Sequence, residues 1–139
     1  MSIYSIVKSS FGDSETRNPT QMHALNLAYI GDTVFDLYVR TYLVSHSDAN
    51  AHSLHLRASK LVCAAGQAEA FHRIESSLTE QELSVFKRGR NAHSGTVPKN
   101  AHLSDYRIAT GLEALFGYLY LEGRDDRLTE LINIIMQEV

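Results

Sequence analysis

The chain has 139 residues, 44% hydrophobic and 21% charged, with a formal net charge of −3. It therefore holds enough apolar material for one compact core, and its balance excludes a globally basic coat for nucleic acid. No 18-residue apolar run exists to span a membrane, and Met1 to Thr20 has no hydrophobic signal core, so a soluble, intracellular, cytoplasmic protein is expected.

Residues 1–19 read as an N-terminal arm, with Ile3, Tyr4, Ile6, Val7 and Phe11 followed by Gly12, Asp13, Ser14 and the Asn18-Pro19 turn. The remainder, 20–139, reads as one domain. Thr20 is the expected N-cap of a helix starting near Gln21. That helix contains Leu25 to Arg40, apolar on two sides. Leu27, Ile30, Val34, Leu37 and Tyr38 form one face, while Leu25, Ala28, Tyr29, Val39 and Leu43 lie nearly opposite. The first face serves the core. The second is more than a chain of this length is expected to cover alone, which points to a twofold partner. Gly31 predicts close backbone approach and a kink or helix junction. Asp32 and Asp36 fall within the second face, where an ionised carboxylate costs several kcal/mol unless a cation, a donor or a metal compensates it. A local cap or pair is one reading of Asp32, and a functional acid is the other.

After the turn-rich 45–50, Leu54, Ala58, Leu61, Ala65, Ala68 and Phe71 recur at helical steps, with a break expected near Ser59 or Gly66. The single cysteine, Cys63, lies among Leu61, Val62, Ala64 and Ala65 and reads as a small buried residue. His52 and His55 lack the companion ligands a zinc site requires and read as solvated. Thr79-Glu80-Gln81-Glu82 is a capping box opening a helix with Leu83, Val85 and Phe86. It runs into a cationic loop, 87–100, where Lys87, Arg88, Arg90 and Lys99 supply four of the thirteen Lys and Arg with no acid among them. Together with Asn91 these residues suit phosphate contacts, the alternative being ordinary solvated charge.

The next helix is expected over Leu103 to Leu121, capped by Ser104 or Asp105 and stopped by Gly123. Its core stripe is Ile108, Leu112, Leu115 and Leu119. Glu113 falls on another side, beside Ala109, Thr110, Phe116, Gly117 and Tyr120, and is a second embedded acid. A final amphipathic helix carries Leu128, Leu131, Ile132, Ile135 and Met136. No strand-like alternation or internal repeat appears, so the fold class is all-α, with five to seven helices around one core.

Three motifs in order carry a family resemblance: Leu-Ala-Tyr-Ile-Gly-Asp over 27–32, the cationic loop, and Tyr106 to Glu122. Together they resemble the Mini-ribonuclease III branch of the ribonuclease III family, a catalytic all-α domain without a double-stranded-RNA-binding domain. The similarity spans roughly residues 20–138. Asp32 matches the aspartate ending the family's signature helix, and Glu113 matches the glutamate of its later Asp-x-x-Glu helix. Two signature glutamates fall on Leu25 and Ala28, and the later aspartate falls on Thr110, so three family acids are absent. The resemblance implies an endoribonuclease that cuts double-stranded RNA and matures large-subunit ribosomal RNA precursors. It implies Asp32 and Glu113 as catalytic ligands of Mg²⁺, with Mn²⁺ as a substitute, since magnesium takes one or two carboxylates and completes its shell with water and phosphate. It further implies a homodimer, with a large-subunit ribosomal protein as a candidate partner. A catalytically silent RNA-binding or ribosome-associated scaffold of the same fold is the alternative. An all-α nucleotide pyrophosphohydrolase would need clustered Glu-x-x-Glu repeats, which are missing.

Overall fold

A computed structural model describes residues 1–12, 17–92 and 102–137. The described residues contain seven α-helices and no strand: α1 (Ile3–Ser9), α2 (Ala24–His46), α3 (Ala51–Val62), α4 (Ala64–Ile74), α5 (Glu80–Asn91), α6 (Leu103–Leu121) and α7 (Asp125–Gln137). Two 3-10 turns, Pro19–Gln21 and Glu75–Ser77, complete them. The all-α expectation holds.

Helix α6 is the axis of the bundle, packed against α2, α5 and α4, with α7 also in contact. Its stripe was legible in the sequence: Leu112, Leu115 and Leu119 are buried, with Phe116 edge-on to Phe35 of α2. It spans the expected 103–121, but its N-cap is His102, with no side-chain cap bond, rather than Ser104 or Asp105. Gly123, at φ +74°, closes the C-terminus in the left-handed region that only glycine enters without strain. The Arg124 amide then donates back to the Leu119 carbonyl at 2.9 Å.

Helix α2 departs from expectation at its start. Asn18 caps the preceding 3-10 turn, and the Nδ1 of His23 accepts from the Leu25 amide at 3.1 Å, so His23 and not Thr20 is the cap. The helix then runs through Gly31 without a junction. Its two apolar faces are also redistributed. Leu37, assigned to the core, is 53% exposed, whereas Ala28, Val39 and Leu43, assigned to an uncovered face, are buried within the protomer. The physical reason is position: α2 is packed by both α6 and α3, so neighbours cover more of its circumference than one amphipathic stripe.

The break between α3 and α4 falls at Cys63, which is extended and serves as both C-cap and N-cap, rather than at Ser59 or Gly66. A corner residue faces solvent, so Cys63 is exposed, not buried. The predicted capping box is present: Thr79 Oγ1 accepts from the Glu82 amide and Glu82 Oε1 accepts from the Thr79 amide. Arg127 of α7 grips the same buried carboxylate through two bonds, at 2.8 and 2.9 Å. Burial raises the Glu82 pKa, but the Arg127 and Thr79 bonds outweigh it and hold the carboxyl below its usual range. At the other end, α1 is held by an edge-on Tyr4–Tyr120 contact and by the Ile3 amide donating to Asp125 at 2.8 Å.

Two glycines set the α2–α6 crossing. A Cβ at Gly31 would overlap the Glu113 carbonyl oxygen, and one at Gly117 would overlap the carbonyl oxygen of Leu27. Both obstacles are backbone, which cannot rotate away. Gly31→Ala and Gly117→Ala should each destabilise the fold by about 3 kcal/mol or more. Thermal melts showing either variant within a degree or two of the parent would contradict this packing.

Candidate functional site

Because Gly31 and Gly117 let the two backbones touch, the residues beside the crossing are brought together. Asp32 follows Gly31 on α2, and Glu113 lies one turn before Gly117 on α6. Their carboxyl groups are close enough that the Asp32 charge and carboxyl both act on Glu113. Asp32 is exposed and Glu113 is partly buried, on the wall of a cleft of about 390 Å³ that Tyr29, Thr33, Tyr106 and Thr110 also line. The two acids singled out from sequence thus share one site. Asp36 does not join them; it pairs with Arg40 at 2.7 Å on the surface.

Burial, then the neighbouring Asp32 charge, then the Asp32 carboxyl itself, push the Glu113 pKa up to about 8; Gln67 acts in the opposite sense. Two carboxyls this close cannot both ionise cheaply unless a cation lies between them. The donor set is therefore suited to a hard divalent ion, two oxygen ligands beside an open cleft with room for water and a phosphate. Among the described residues no group of three or more His, Cys, Asp and Glu is gathered for a metal.

Gln67 of α4 was not singled out in the sequence. It is 2% exposed, and its Nε2 donates to Glu113 Oε2 at 3.4 Å. Its signal was available: a Gln between Gly66 and Ala68 on an apolar helix face must find a polar partner.

The cationic segment is partly helix. Lys87 to Asn91 form the last turns of α5, with Ala92 as its C-cap, while 93–100 of the expected loop, including Lys99, lie outside the described residues. Lys87 is exposed. Arg88 donates to the backbone carbonyls of Thr20 and Met22, so part of its guanidinium holds the segment leading into α2. Arg90 bonds Asn91 at 3.1 Å and lies over the Phe86 ring. Arg107, absent from the sequence-based set, joins Arg90 and Asn91 around a cleft of about 480 Å³. It stands less than two turns from Glu113 on the same helix.

The Ribonuclease III domain family matches residues 25–124, a span containing both acids, Gln67 and the end of α5. That family makes the chain an endoribonuclease. A Mini-ribonuclease 3 of Clostridium tetani is 44% identical over 117 residues, covering 84% of this chain and 78% of the relative. Another, of Enterococcus faecalis, is 43% identical over 125 residues, covering 88% and 95%. A solved structure of a Fusobacterium nucleatum protein superposes with a TM-score of 0.75 at 27% identity, over 85% of this chain and 94% of that one. The chain belongs to the Mini-ribonuclease 3 branch of the ribonuclease III family.

The acid pair makes folding pH-dependent. A carboxyl whose pKa is raised on folding favours the native state while protonated, so stability falls as pH rises from the ordinary glutamate range, about 4.5, toward 8. Without divalent metal, the chain should lose on the order of a few kcal/mol across that window. Glu113→Gln should remove most of the slope. Parallel melts of the two proteins at pH 5 and pH 8 check it, and equal slopes would show that Glu113 is not the responsible group.

Proposed function

We propose that the chain is a Mg²⁺-dependent endoribonuclease that hydrolyses phosphodiester bonds of double-stranded RNA, with Asp32 and Glu113 as the metal-holding catalytic residues. The observation that carries this reading is the Asp32–Glu113 pair itself, held at a glycine crossing and open to solvent on one side. A divalent ion bound there supplies a Lewis acid for the phosphoryl oxygens and lowers the pKa of a water. The chain's own residues do the rest. Asp32 and Glu113 orient their oxygens toward the cleft. Gln67, fixed by burial, keeps one Glu113 oxygen turned inward. Lys87, Arg88, Arg90, Asn91 and Lys99 are proposed to hold RNA phosphates, recognising the duplex chiefly by A-form shape and 2′-hydroxyls.

The proposed substrate is a structured precursor of large-subunit, 23S-type ribosomal RNA, processed in the cytoplasm, with a large-subunit ribosomal protein as a candidate assistant. Residues 20–139 are proposed to form the catalytic domain and 1–19 an accessory arm. A homodimer is proposed because two related sites match the antiparallel strands of a duplex. Burial of Val39 removes it from the interface, and Tyr29, 84% exposed on the rim of the acid cleft, takes that place. The absence of acids at Leu25, Ala28 and Thr110 is what supports the second reading, a silent RNA-binding scaffold.

Cleavage of a duplex RNA by the purified chain, with and without Mg²⁺, separates these readings: a scaffold binds without cutting. Asp32→Asn or Glu113→Gln should lower the rate by at least about a hundredfold while the protein still folds. Near-normal cutting by either variant would take that residue out of the site. Replacing Lys87, Arg90 and Lys99 with Ala should reduce the slope of log affinity against log salt by up to about one unit per lost contact. Light scattering should report twice the 15.5 kDa chain mass, and Tyr29→Asp should return it to the monomer.

A further inference from the structure

A second cleft, larger than the acid cleft and sharing none of its lining, encloses about 720 Å³ where the end of α2 meets α3, α4 and α7. That volume is typical of small-molecule sites. It is remote from the acids, since Asp32 and His46 lie about 20 Å apart along α2 at 1.5 Å per residue. Arg57, Lys60 and Arg73 line it against one carboxylate, Glu69, so a protein of net negative charge concentrates cations here.

These cations differ in how far they are committed. Arg73 is the most fixed, donating to the Ile135 carbonyl at 3.1 Å while Glu69 stands 3.6 Å away. Arg57 donates to Ser47 Oγ at 3.3 Å, and the Ala49 amide donates to the same oxygen at 3.1 Å. With two donors already directed at its oxygen, the Ser47 hydroxyl keeps its own proton to offer an incoming acceptor. Lys60 forms no ion pair among the described residues.

The α2 side of the cleft is aromatic. The Tyr42 and His46 rings stack with centroids 3.9 Å apart and planes within 6°. Because the Tyr42 carbonyl can only accept, His46 Nδ1 carries the proton of their 3.0 Å bond, which pins the imidazole in the stack. Leu43, Leu61 and Met136 supply the apolar floor. Uncommitted donors beside a fixed aromatic face suit a phosphate ester joined to a planar ring.

We propose that this cleft binds a nucleoside monophosphate group, its phosphate between Lys60, Arg57 and Ser47 and its base against the Tyr42–His46 stack. The group comes either from a free mononucleotide or from the 5′-phosphorylated end of an RNA strand. The site is independent of the proposed acid centre.

The test is NMR titration of the labelled chain without divalent metal, using AMP, adenosine, and a trinucleotide with a 5′-phosphate or a 5′-hydroxyl. AMP or the phosphorylated trinucleotide should shift the amide signals of His46, Lys60 and Arg73 saturably. Adenosine and the 5′-hydroxyl trinucleotide should bind at least about tenfold more weakly. A response to AMP alone identifies a free nucleotide, and a response to the phosphorylated trinucleotide alone identifies an RNA end. The double variant Arg57→Glu and Lys60→Glu changes exposed residues, should leave the melt intact, and should weaken the responding ligand by at least about tenfold. No saturable shift with either phosphorylated ligand up to millimolar concentration, or shifts confined to the Asp32–Glu113 cleft, would overturn the proposal.

Discussion

The contact between the backbones of α2 and α6 is the constraint on which the rest of the molecule depends. Gly31 and Gly117 leave no side chain at the crossing, so peptide groups meet where most helix pairs interpose Leu or Val. One consequence is packing: α6 sinks far enough among its neighbours that Leu112, Leu115, Phe116 and Leu119 are all buried. The other is chemical. The crossing fixes the backbones that carry two acids side by side, so burial and the Asp32 charge both act against an ionised Glu113, and a proton or a cation relieves this. In the apo protein the fold therefore weakens as Glu113 ionises, and a proton or a bound cation restores it.

How much of this was readable from the chain depends on whether a feature is local. The Thr79–Glu82 capping box, the 103–121 helix and the Leu128 to Met136 stripe follow from spacing alone, and each is present. The fate of α2 was not local. Val39 and Leu43 look like an uncovered face because periodicity records which residues are apolar, not how many neighbours a helix will have. Cap chemistry was ambiguous in the same way: His23 takes the role that Thr20 advertises, because the 3-10 turn after Pro19 delays the helix.

The acid site shows the same division. Asp32 and Glu113 stood out because each is embedded in apolar sequence, and family resemblance supplied the reason for pairing them. Gln67 did not stand out, since a single amide in a helix of Ala and Gly carries little weight until its burial is known. Arg88 shows another limit: it is exposed, as a charge run suggests, yet two backbone carbonyls take part of its guanidinium. A cation's position in sequence says little about how many of its donors are spoken for.

The Glu82–Arg127 pair has a further consequence for how the molecule opens. Arg127 bonds Glu82 of α5, the Ser77 carbonyl of the turn before it, and Glu130 of its own helix, while Glu82 also closes the first turn of α5. If α7 peeled away alone, a nearly buried carboxylate would remain without its cation, and the cap of α5 would weaken with it. The last helix and the start of α5 are therefore tied to open together, although the partners of the tie are 45 residues apart in the chain.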